Sequence, residues 1–130
     1  KILTLIDPVK KSIKQTECLV HVYINNKALN VLLHDGYIKE FNLFNSFITS
    51  LNKGVVWADQ DFKSANHFYH PVKKRGLYGR KNAMELALEY HDKALKYWSM
   101  KKYKKSMFYF GATLHLIQDM TVPQHANISF

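Results

Sequence analysis

One cysteine, Cys18, is all the chain carries, so no disulfide can form within it. The compartment stays open, since cytosolic and secreted bacterial proteins alike can lack disulfides. No apolar run approaches the roughly 20 residues that a spanning helix needs, which excludes a transmembrane segment of that kind. Alternation of apolar and polar residues nowhere persists beyond a few positions, so strands are not expected and the fold reads as all-α. Acidic residues are scarce: 10 Asp and Glu stand against 19 Lys and Arg, a formal charge of +9. That balance favours anionic partners such as phospholipid surfaces, phosphate esters or nucleic acid without choosing among them. The basic clusters at 10–14, 73–81 and 101–105 also read as solvated surface, as charge runs usually do. Neither a methionine nor a charged-then-apolar leader opens the chain. Residue 1 is therefore expected to be a processing boundary, with any signal peptide already removed.

What is present is one domain's length of chain, 130 residues of which 47% are hydrophobic and 14% aromatic, enough for a core and too apolar for disorder. Residues 1–12 are ambiguous, because Pro8 discourages a helix through Asp7 and can also open one at its first turn. From Gln15 to Leu33 the period is helical, with Leu19, Val22, Asn26, Leu29 and Leu33 on one stripe and His21, Asn25, Ala28 and Leu32 on the next. Gly36 is available for a left-handed cap. A second helix is expected over Tyr37–Leu51, a core helix by its phenylalanines, ending at Asn52–Gly54. Residues 54–80 then break the helical rhythm. A loop that long in a compact domain is usually functional or disordered, and Trp57, Phe62, Phe68 and Tyr69 argue against disorder. It carries Asp59, Asp61, His67 and His70 as candidate ligands. The third helix spans Asn82–Met100, with Met84, Ala87, Leu88, His91, Leu95 and Trp98 as its apolar side and a Glu89–Lys93 pair opposite. There His91 reads as a structural residue. The fourth spans Tyr103–Asp119, with one stripe of Tyr103, Met107, Phe110, Leu114 and Ile117 and another of Phe108, Gly111, His115 and Asp119.

Coordination chemistry concentrates in TLHLIQDMTVPQHA, residues 113–126. His115 and Asp119 are four apart on a helix and project from one face, so they can hold one metal. Past Pro123, His125 adds another imidazole. Imidazole with carboxylate suits zinc and its first-row neighbours. Gly111, one turn before His115, removes bulk where another backbone or an ion can approach.

With HVYINNKAL around His21, WAD at Asp59, SANHFYHP around His67 and FYFGATLHLIQDMTVPQHA at the end, the chain resembles the bacterial zinc-dependent phospholipase C family, of the lecithinase and alpha-toxin catalytic-domain type. The resemblance spans about His21 to Ala126 and implies an all-α, multi-helix bundle with a long metal-ligating loop. It makes 1–130 similar to the N-terminal part of such a catalytic domain, truncated relative to the family. It implies up to three zinc ions: the first on Asp59, His67, His115 and Asp119, with Asp119 bridging to a second that takes His21, and a third that takes His125. Asp59 would also serve as general base on the attacking water, in a hydrolysis of phospholipid to diacylglycerol and a phosphorylated headgroup. The expected partner is a phospholipid membrane surface, peripherally bound, and the expected location secreted or cell-surface in a bacterium.

The chain also departs from the family. Pro8 falls where an amino-terminal tryptophan normally completes the second site. The His and Glu that normally follow His125 lie past Phe130, so one site of three is complete and a weak or inactive hydrolase is expected. Leu116, Gln118, Thr121 and Ile128 differ from the usual residues. Gln60 and Ser64 stand where aromatic residues surround choline, and a cation cage needs aromatic faces, so a phosphatidylcholine preference is not implied. Two alternatives remain open at this point: a zinc hydrolase like the single-strand-specific nucleases, which would suit the basic charge, and a non-catalytic helical binding module stabilised by one metal.

Overall fold

The computed structural model describes residues 7–59 and 83–121, with side chains from Leu19 onward. Among these residues there are five helices and no strand: α1 (Asp7–His34), α2 (Ile38–Ser46), α3 (Ile48–Ala58), α4 (Ala83–Ser99) and α5 (Tyr103–Met120). The all-α reading holds. Helix α5 is the centre, flanked along its length by α3 and α4, while α1 lies against α2 and α3.

Pro8 lies in the first turn of α1, where its missing N–H costs no hydrogen bond. The helix ends as the glycine foretold. Gly36 adopts φ +83, its N–H donates to the Leu33 carbonyl at 3.3 Å and the Tyr37 N–H donates to the Leu32 carbonyl at 2.9 Å. These are the two crossed bonds of a Schellman cap. Among the described side chains of α1 the buried ones are His21, Asn25 and Leu29, whereas Leu19 and Leu33 are 62% and 46% exposed. The stripe that faces inward is therefore largely the polar one.

The expected single helix over Tyr37–Leu51 is two helices, broken at Phe47 with φ −118 and ψ 10. The Ser46 hydroxyl bonds back to the Asn42 carbonyl at 2.6 Å, a competition with the ladder that bends helices. Helix α2 buries none of its residues, so it is not the core helix its phenylalanines implied. Helix α3 in turn does not stop at Asn52–Gly54 but runs on to Ala58, which joins the core, with Trp57 packed against it. The reason is the approach of α5. A Cβ built on Gly54 would collide with the Phe108 carbonyl, and one built on Gly111 would collide with the Leu51 carbonyl. Gly54 thus marks a backbone contact rather than a helix end.

Helix α4 presents a different face from the one its large residues suggested. Ala83, Leu86, Ala87, Tyr90 and Ala94 are buried, while Met84, Leu88, Leu95 and Trp98 are exposed. Alanines let α4 settle closely on α5, and that contact outranks side-chain size. The interface is completed by aromatic pairs of favourable offset or tilted geometry: Tyr97 stacks on Tyr109 at 5.5 Å, and Trp57 meets Tyr90 and Phe108 at 5.5 and 5.3 Å. The expected Glu89–Lys93 pair is present at 3.0 Å and, being partly solvated, contributes a few tenths of a kcal/mol at about the usual level for such pairs.

Two substitutions test this packing. Gly111→Ala should cost about 1–3 kcal/mol in urea denaturation, because α3 and α5 must separate; unchanged stability would contradict the close approach. Lys101, two residues past the end of α4 and in the left-handed region at φ 57, should behave oppositely. Lys101→Gly should stabilise by about 0.5–1 kcal/mol through relief of that strain.

Candidate metal centre

The inward stripe of α5 runs Gly111, His115, Asp119, all buried. Gly111 brings α3 against α5, and the helix that continues past Gly54 delivers Asp59 at its C-terminal end, where the Asp59 N–H donates to the Val55 carbonyl at 3.2 Å. Asp59 thereby stands 3.8 Å from His115 Nε2, measured to Oδ1. From the other side α1 brings in His21. Its Nε2 lies 3.1 Å from Asp119 Oδ1, and His115 Nε2 lies 3.2 Å from Asp119 Oδ2. The two imidazoles meet edge to face with centroids 4.3 Å apart.

The Asp119 carboxylate is therefore flanked by one imidazole on each oxygen. His115 is 0% exposed, Asp119 3%, and His21 and Asp59 each 7%. Four buried ionisable groups within such distances are costly unless they are paired or hold an ion. Burial disfavours the His21 cation, yet hydrogen bonds to Asp119 and Gln118 and the charges of Asp119 and Asp59 outweigh it, and the pKa lies above 6.5.

Of the residues singled out in the sequence, the fold brings together His21, Asp59, His115 and Asp119. His67 and His125, like Asp61 and His70, lie outside the described residues. His34 sits in the exposed exit turn beside Asp35, and His91 is half-buried along an apolar groove with Phe44, Leu95 and Phe110. Sequence reasoning missed the polar residues that support His21. Gln118 Oε1 lies 2.7 Å from His21 Nδ1, Gln118 Nε2 donates to Asn25 Oδ1 at 2.9 Å, and Asn25 Nδ2 donates to Asn52 Oδ1 at 2.9 Å. The available signal was Asn25 on the His21 stripe and Gln118 beside Asp119.

A sequence model described as zinc dependent phospholipase C matches residues 20–130. The chain belongs to the zinc-dependent phospholipase C family. Two phospholipase C sequences from Bacillus cereus are each 28% identical to it over 116 residues, covering 82% of this chain and 41% of theirs. The chain thus spans about two fifths of the length of these curated relatives.

The residues present fit the family's metal. His21, His115 and Asp119 each offer a ligand atom, and these atoms lie within 4.8 Å of one another. Zinc takes such nitrogen and oxygen donors at about 2.0–2.2 Å, which spaces neighbouring ligand atoms at roughly 3.3 Å. The 3.1 and 3.2 Å separations across Asp119 need little change to admit an ion.

The raised pKa of His21 gives a pH test on the metal-free chain. A group whose folded pKa exceeds its unfolded value contributes stability that is full below the unfolded value, here 6.5, and that is lost as pH rises through the folded one. Urea midpoints measured with chelator should fall from about pH 6 upward, and His21→Gln should flatten that fall. A midpoint that rises over the same range would contradict the pairing of His21 with Asp119.

Proposed function

We propose that His21, Asp59, His115 and Asp119, with His67 and His125, form a zinc site that hydrolyses phosphodiester bonds of phospholipid, as in a phospholipase C. The observation that carries this reading is the Asp119 carboxylate, which offers Oδ1 on the His21 side and Oδ2 on the His115 side. A carboxylate so placed can serve two neighbouring ions at once, and its partners are the imidazoles each ion would need. When bound, zinc supplies Lewis-acid polarisation of phosphate oxygens and lowers the pKa of water.

The chain's own groups have separable roles. His115, fully buried, anchors the site from α5 and excludes solvent behind it. His21 closes the α1 side. Asp59 stands at the end of α3, 3.8 Å from His115 Nε2, where it would join His115 and Asp119 in holding an ion and its carboxylate could receive a proton from the attacking water, the work of a general base. The basic character of the chain, +9, favours a peripheral encounter with anionic phospholipid. A secreted or cell-surface location in a bacterium accords with that substrate, and the domain is read as one unit over 1–130.

With one of the family's three sites complete in 1–130, the zinc-loaded chain should release phosphorylated headgroup from mixed phospholipid vesicles only weakly. Asp119→Asn should lower that rate by at least about 100-fold, since 2.7 kcal/mol of lost transition-state stabilisation already gives that factor. Zinc-dependent cleavage of a single-stranded oligonucleotide without lipid turnover would replace this reading with a nuclease. Bound zinc with neither activity would leave a metal-stabilised binding module.

A further inference from the structure

A polar seam crosses three helices behind the metal centre, from Asn52 on α3 through Asn25 on α1 and Gln118 on α5 to His21. Its direction is set by its donors. Asn25 uses its amide nitrogen on Asn52, so its oxygen is the atom that accepts from Gln118 Nε2. Gln118 has then committed its nitrogen to Asn25, and the atom it turns to His21 is Oε1, which only accepts. The ring nitrogen facing it, Nδ1, then carries the donated hydrogen, and once an ion replaces the proton that Nε2 gives to Asp119, the Nε2 lone pair is the one presented to the metal. Nε2 is the atom that points at Asp119 and the centre.

We propose that Gln118, oriented by Asn25 and Asn52, is a positioning residue that holds the His21 proton on Nδ1 and so presents Nε2 as a metal ligand. Partners that bind the second nitrogen of a ligating histidine fix its tautomer and ring orientation. Carboxylates and backbone carbonyls usually fill this place; here a side-chain amide does, on the residue adjacent to Asp119, so α5 supplies both a ligand and the support for another ligand. The seam also explains how α1 is held. Asn25 is 5% exposed and His21 7%, and the contacts of both with α5 run through Gln118 and Asp119.

The consequence for metal rests on the zinc site proposed above, whereas the hydrogen bond from His21 Nδ1 to Gln118 does not. Proton–nitrogen NMR on the metal-free chain with labelled histidine, at about pH 5 where both ring nitrogens carry hydrogen, should show a His21 Nδ1 proton protected from solvent exchange, the signal being assigned by its loss in His21→Gln. In Gln118→Met, which keeps the side chain's length but not the acceptor, that protection should disappear. Zinc affinity, read by chelator competition, should fall about 10- to 100-fold. Gln118→Glu, which retains the acceptor, should recover both. A wild-type Nδ1 proton that exchanges as fast as that of an exposed imidazole would overturn the proposal even if Gln118→Met failed to fold. Unchanged zinc affinity in a folded Gln118→Met would overturn it equally. A wild-type chain that shows the protected Nδ1 proton but takes up no zinc at His21 would sink the metal site and leave the orienting role of Gln118 standing.

Discussion

The close approach of α3 and α5 is the constraint on which the rest of the structure depends. Gly54 lies under the Phe108 carbonyl and Gly111 under the Leu51 carbonyl, so the two backbones touch where any Cβ would hold them apart. A glycine inside a helix costs roughly 1 kcal/mol in backbone freedom relative to alanine, and two facing each other make sense only if the proximity itself is needed. Its product is positional. Five residues beyond Gly54 is Asp59, four beyond Gly111 is His115, and the two side chains come within 3.8 Å.

Around that contact the molecule divides its labour by chemistry. The α4–α5 face is apolar and aromatic, built on alanines that admit Trp57, Tyr90 and Tyr109 into contact. The α1–α5 face is polar, with His21, Asn25, Gln118 and Asp119 joined by hydrogen bonds. Buried polar seams cost stability if any member is left unmet, but when satisfied they fix a single arrangement. Dispersion on one side of α5 makes it rigid, and the directional bonds on the other side define where a ligand atom must lie.

Much of this was legible beforehand, for physical reasons that differ by residue. His115 and Asp119 are four apart on one helix, so helical geometry alone places them together, and Gly111 was recognisable as an opening for a second backbone. Gly36 could be read as a cap because its left-handed conformation is a local matter. His21 and Asp59 carry no such local sign; only the resemblance joined them to α5. Gln118 could be seen to differ from the family's usual residue, but its hydrogen bond spans 97 positions to His21, and no periodicity encodes such a pairing. Two of the misreadings, Gly54 as a helix end and the large residues of α4 as its buried side, share one cause. Local rules rank a residue by its own size and conformational freedom, whereas both faces here were selected by how closely α5 comes.

The central claim is that Asp119 lies between two imidazoles because it shares metal with them. Anomalous diffraction at the zinc absorption edge, from crystals grown with zinc, tests it most directly. The account predicts zinc density in contact with His115 Nε2 and one oxygen of Asp119, and further density between His21 Nε2 and the other oxygen. Zinc found at other residues, with both oxygens of Asp119 still bonded only to the two rings, would contradict it.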